Sequence, residues 1–216
     1  MEKKENETTK QRLLEAAGEI FARQGYNSAT IRDICRSAGA HVGAVNYHFR
    51  DKEGLYEAVI EYSSLQSEQK YPFDMGVTES SSPEEKLENF IRSFLLRIFD
   101  DDTPAWRGKL MAMEIANPTN AIDQVIEKSS RPLNIYLMEI VSELLYGVKT
   151  PDEKNRLRIF TAATNIIGQC VHYFIGREFI ERLCPKEFDI EDIDFITKEI
   201  YKFSIGGLEN LKADEK

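Results

Sequence analysis

Apolar residues recur at three- and four-residue spacing along almost the whole chain, and no useful stretch alternates apolar with polar. That period is the helical one, so the chain must pack helices against helices, and the expected fold is all-α. Leu13, Leu14, Ala17, Ile20 and Phe21 trace one such face, started by Thr8 or Thr9 and stopped by Gly25. Thr30 opens a second helix, with Asp33 as an acidic variant of the capping box, a buried side of Ile31, Ile34 and Cys35, and an end at Gly39. Val42 begins a short third helix that stops near His48-Phe49. Asp51 caps a fourth, over about 51–70. Two short helices joined by a tight glycine turn follow the pattern of a helix-turn-helix.

The chain turns polar over residues 63–82, with Pro72, Gly76 and the Ser80-Ser81-Ser82 run. This places a boundary near residue 66, between a small domain over 6–66 and a larger helical one over 82–212. Ser82-Pro83-Glu84-Glu85 is a strong helix start, with an N-cap, a proline at the first position and acids in the first turn. That helix runs to Phe99 and breaks over Asp100–Pro104. Further helices are expected at 104–116, at 119–146 with a kink at Pro132, from Thr150-Pro151-Asp152 to Leu183, and at 190–211. The last two carry broad apolar faces, including Phe160, Ile166 and Cys170 on one and Ile196, Ile200 and Phe203 on the other. A single chain of this size covers both poorly, so pairing of two copies is expected.

Charge narrows the function. The formal net charge is −9, which excludes a protein that coats nucleic acid indiscriminately. The acidity is uneven: residues 1–62 hold 9 basic and 10 acidic side chains, residues 63–216 hold 19 and 27. Between residues 36 and 52, Arg36, Arg50 and Lys52 face only Asp51, enough for one small DNA-reading surface.

No segment has the roughly 18–20 apolar residues of a membrane span, and the charged Met1–Glu7 stretch leads into no export signal. The three widely spaced cysteines, Cys35, Cys170 and Cys184, are then expected as reduced thiols in the cytoplasm. Cys35 stands beside Arg32 and Arg36, but a small packing residue is the expected role rather than an oxidant sensor. Catalytic signatures are lacking. Ser67-Glu68-Gln69-Lys70 fits a Ser-x-x-Lys pattern without its companion motifs and is read as chance. His172 has no other histidine near it in sequence and there is no Cys-x-x-Cys, so neither a metal nor a cofactor is expected.

The informative stretch is Thr30–Phe49. Gly43 and Ala44 allow a helix backbone to approach another surface closely. Asn46, Tyr47 and His48 supply hydrogen-bonding groups, and Arg50 and Lys52 come just after the helix end. A DNA-reading helix needs this combination of a few base-edge contacts and many backbone contacts. Packing of the small domain is the competing role for Tyr47 and His48.

Residues 8–62 closely resemble the N-terminal domain of TetR-type transcriptional regulators. The resemblance rests on Thr9, Leu14, Ala16-Ala17, Phe21, Gly25-Tyr26, Thr30, Ile34, Ala38-Gly39, Tyr47-His48-Phe49, Lys52 and Leu55. Asn46 stands where the family usually has Tyr, and Cys35 where it usually has Ala. The resemblance implies phosphate contacts from Thr30, Tyr47 and Lys52. It implies a major-groove face of His41, Val42, Gly43, Ala44, Asn46 and His48. Glu114–Thr119 and Ile167–Tyr173 are similar to the C-terminal domain of the CecR-like branch, which often has Arg where this chain has Met113.

The resemblance further implies a dimeric repressor, released from a near-palindromic double-stranded operator by a small-molecule effector. Polar groups on apolar helices are then candidates for the effector pocket: Trp106, Met113, Glu114, Asn117, Tyr136, Asn165, Gln169, His172 and Tyr173. The other readings for each are mutual hydrogen bonding and burial at the dimer interface. A helical carrier or enzyme that kept the fold without reading DNA is the rival function, and a regulator acting through protein contacts alone is a third.

Overall fold

In a computed structural model of the protein, the described backbone comprises residues 2–100, 106–150 and 152–213. Its regular structure is all helical, and no strand occurs among the described residues. The break expected over Asp100–Pro104 begins at Asp100, which leaves the helix with extended backbone; its remaining residues, Asp101–Pro104, and the start at Pro151 lie outside the described residues.

The first four helices are firmly punctuated. Helix α1 spans Glu2–Ser28 and begins well before Thr8 and Thr9, which therefore do not cap it. The Glu and Lys residues ahead of them are good helix formers and extend the first turn. Gly25 interrupts it at φ 78° and ψ 160°. Helix α2 spans Ile31–Ala38. The Thr30 hydroxyl accepts the Asp33 N–H at 3.1 Å and donates to the Asp33 carboxylate at 2.6 Å. Gly39 ends α2 in the left-handed region, at φ 59° and ψ 41°. Helix α3 spans Val42–Phe49, and Arg50 turns the chain out of it at φ 74°. Asp51 then caps α4, Lys52–Lys70, by accepting the Gly54 N–H at 2.8 Å. That bond is the leading cause holding the Asp51 carboxyl below its ordinary range.

Helix α5, Pro83–Phe99, starts with the full reciprocal capping box of Ser82 and Glu85, at 3.2 and 2.8 Å. Helix α6 spans Trp106–Ala116 and α7 spans Ile122–Val125. The single helix expected over 119–146 changes its ladder partway: a π-helical turn, Ile126–Ser130, leads into α8, Arg131–Tyr146. The helical run is continuous from Ile122 to Tyr146, and the π-helical turn lies directly before Pro132, whose missing N–H cannot continue the regular ladder. The helix expected to reach Leu183 is divided. A 3-10 turn, Glu153–Asn155, precedes α9, Arg156–Ile175, and Gly176 separates α9 from α10, Arg177–Leu183. Helix α11, Ile193–Ala213, is the last.

The chain divides into two compact units: Met1–Ser67 with Asp101–Ser130, and Glu68–Asp100 with Arg131–Lys216. In the first, Leu13, Phe21, Ile34, Val45, Leu55 and Leu110 share one core. Helix α6 belongs to that core. It runs beside α1 in the same direction, since a Cβ on Gly18 would lie 2.5 Å from the Trp106 ring and one on Gly25 would lie 3.6 Å from Met113. Glycine at 18 is therefore the groove in which the tryptophan rests. In the second unit α5, α8, α9 and α11 close around Leu87, Phe90, Leu137, Ile140, Ile159 and Ile196. Burying each such side chain contributes about 1.5–3 kcal/mol before conformational entropy is charged against it.

Candidate nucleic-acid interface

Helix α3 is two-sided. Val45 and Phe49, four residues apart, are buried in the first unit's core. Val42, Gly43, Asn46 and Tyr47 are exposed, Tyr47 by 74 %. A Cβ on Gly43 would meet nothing within 4 Å, so a flat surface can approach there. Ala44 is half-buried against the core. His41 precedes α3 and is exposed; its side chain makes no capping bond, and its carbonyl accepts the Ala44 N–H at 2.9 Å.

Lys52 lies at the other end of the motif. Its ammonium sits 4.5 Å from the centre of the Tyr26 ring and donates to the Asn27 carbonyl at 3.3 Å. Partial burial lowers its pKa somewhat. Thr30 is exposed, and its hydroxyl is already held by Asp33. His48 is half-buried, its ring 4.9 Å from that of Tyr47. Burial, and then the nearby charge of Lys10, push the His48 pKa below its usual value, so the imidazole is neutral at pH 7. Lys10 is the residue that sequence reading missed. It is far from the motif in the chain, and only the packing of α1 places its charge near α3.

The nine effector candidates fall into both units. Trp106, Met113, Glu114 and Asn117 belong to the first. Trp106 is buried on Gly18, Met113 is half-buried, and Asn117 is exposed. Glu114 is only 1 % exposed and has protein partners. Its carboxylate accepts the Tyr56 hydroxyl at 2.6 Å, the Thr119 N–H at 2.8 Å and the Thr119 hydroxyl at 3.0 Å. Tyr136, Asn165, Gln169, His172 and Tyr173 belong to the second unit. Tyr136 and Tyr173 are half-buried against Phe90 and Phe188, and burial raises both phenol pKa values, keeping them as O–H donors. The Gln169 amide donates to Ser204 at 3.3 Å, while Asn165 and His172 are exposed.

Cys35 is buried and its thiol is pushed upward by burial, which suits packing and disfavours the reactive thiolate. Burial takes Cys170 to about 12. Among the described residues, no three His, Cys, Asp or Glu side chains are grouped to hold a metal, and no helix is long and apolar enough to cross a membrane.

Known proteins share this arrangement. Residues 13–59 match the family of bacterial regulatory proteins of the tetR type. Residues 83–208, more than half of the chain, match the C-terminal domain of the HTH-type transcriptional dual regulator CecR. CecR of Shigella flexneri is 26 % identical over 204 residues, covering 90 % of this chain and 88 % of its own. A TetR-like transcriptional regulator from Rhodococcus sp. RHA1 superposes with a TM-score of 0.63 at 17 % identity, over 93 % of this chain and 96 % of its own. The fatty acid degradation regulator FadR from Bacillus halodurans does so with 0.64 at 19 % identity, over 92 % and 95 %. At such identities these two structures speak to the fold alone. With the family matched at both ends and a helix-turn-helix whose second helix is open on one side, the chain belongs to the TetR family with a CecR-type C-terminal domain and is a DNA-binding transcriptional regulator.

Proposed function

We propose that the protein is a cytoplasmic repressor, without enzymatic activity, that binds a near-palindromic operator as a homodimer and leaves it when a small molecule binds. The observation that carries this reading is the two-sided α3, anchored by Val45 and Phe49 and open at Val42, Gly43 and Asn46; Thr30, Tyr47 and Lys52 are the proposed phosphate contacts. His41, Ala44 and His48 complete the proposed reading surface. The proposed division of labour is DNA reading by residues 6–66 and effector binding and pairing by residues 82–212. Two heads in a dimer must sit about 34–36 Å apart, one turn of DNA, or a multiple of it. The effector must bind the DNA-incompetent spacing more tightly than the competent one, because a ligand shifts an equilibrium only by its differential affinity. Tyr136, Gln169 and Tyr173 are the effector contacts favoured by their half-buried hydroxyl and amide groups.

A salt-titrated binding assay tests this, using DNA from immediately upstream of the gene and scrambled competitor. The expected result is saturable binding that survives competitor and weakens with salt. Asn46→Ala with Tyr47→Ala should abolish operator binding while leaving the dimer intact, the lost base contact of Asn46 alone costing about 1–3 kcal/mol. Equal affinity for upstream and scrambled DNA, with no sequence motif recovered by selection from genomic fragments, would sink the proposal.

A further inference from the structure

Helix α6 lies inside the stretch that matches the CecR C-terminal domain, yet it folds with the reading head. Its attachment is specific. At its start Trp106 fills the groove at Gly18, and Arg107 donates to Gln66 of α4 at 2.5 Å. In its last turn Glu114 accepts the Tyr56 hydroxyl of α4 at 2.6 Å, and Thr119 completes the carboxylate's shell. Just beyond, Asn120 donates to Glu53 at 3.1 Å, in the first turn of α4.

From Tyr56 the contacts continue to the DNA side. The Tyr56 ring lies 4.9 Å from both Phe21 and Tyr26, and Tyr26 carries the Lys52 ammonium on its face. A buried carboxylate is costly to place and is tolerated where its hydrogen bonds are complete. Here they are complete, and they join α6 to the helix that begins with Lys52. We propose that Glu114 and Tyr56 are paired positioning residues for operator reading, the Glu114 carboxylate holding α4, and through Tyr26 the Lys52 ammonium, in the geometry that specific binding requires. This rests on the operator-reading proposal above.

Specific and nonspecific binding separate the idea from a merely structural role. Nonspecific binding depends on the positive charge offered to phosphate, which neither Tyr56→Phe nor Asn120→Ala changes, whereas specific binding needs the head held in one orientation. Tyr56→Phe removes one oxygen and keeps the ring. In the full-length protein its affinity for the upstream fragment should fall about tenfold, with affinity for scrambled DNA unchanged and the helical signal and oligomeric state of the parent retained. Asn120→Ala, at an exposed position, should act in the same direction and serves as the second variant if Tyr56→Phe fails to fold.

Parental affinity of a folded variant for the upstream fragment, or a parallel fall toward both DNAs, would overturn the pairing. Failure of the parent itself to discriminate would instead overturn the operator reading on which it stands.

Discussion

Gly54→Ala is expected to lower the melting temperature and abolish specific DNA binding, although it adds a single methyl group. Gly54 lies in the first turn of α4, and a Cβ there would collide with the carbonyl oxygen of Phe49 at the end of α3. The obstacle is backbone, so no rotamer relieves it. Relief requires opening the corner at Arg50-Asp51, where φ is already 74° at Arg50 and the Asp51 carboxylate is bound to the Gly54 N–H. Overpacking of this kind costs about 1–3 kcal/mol, or roughly 2–4 °C per kcal/mol in a chain of this size. The loss of binding should be larger than the loss of stability, because the same corner sets α3 against Lys52. Gly43→Ala is the control for stability, since its Cβ meets nothing within 4 Å. Thermal melts of the two variants would check the claim, and a Gly54→Ala protein melting with the parent would show that the corner opens freely.

The second large effect concerns the outer face of the second unit. On α9, Leu157, Thr164, Gly168 and Ile175 form one helical stripe, with Leu157 exposed by 76 % and Ile175 by 54 %. On α11, Phe203 is exposed by 75 %, beside Gly206 and Gly207. A Cβ on any of these three glycines would meet nothing within 4 Å. Mid-helix glycine costs about 1 kcal/mol relative to alanine, and among the described residues no neighbour approaches these positions closely enough to require it. A second copy's helices lying closely on the stripe would. Phe203→Asp should therefore yield a folded monomer, as read by sedimentation or light scattering. Its operator affinity should fall by about 100-fold or more, because the second head no longer binds at the effective concentration set by the first. Persistence of the parental oligomer would move the pairing surface elsewhere.

Much of the architecture was legible because helix termini are written in local chemistry. Thr30 and Gly39 bracket α2, Asp51 starts α4, and Ser82 with Glu85 starts α5, each through bonds spanning four residues or fewer. The long helix after Asn155 reads as continuous because apolar spacing carries across the short interruption at Gly176, and before Pro132 the regular ladder gives way to a π-helical turn that apolar spacing does not reveal. Glu114 shows the limit most clearly. A carboxylate on an apolar helix face is equally compatible with a ligand and with a protein donor, and its donor Tyr56 lies 58 residues away in the chain.

The sequence by itself determined the all-helical class, the helix-turn-helix over residues 30–49 and the family, because each rests on periodicity, caps or side-chain identities that repeat over short distances. Only the tertiary structure decided that α6 belongs with the reading head, that Lys10 stands near His48, that Lys52 rests on Tyr26 and that Glu114 is held by Tyr56 and Thr119. Most of these are contacts between residues distant in the chain, created when Trp106 settles on Gly18 and the cores close. Such pairings depend on three-dimensional complementarity, which no short window of sequence contains.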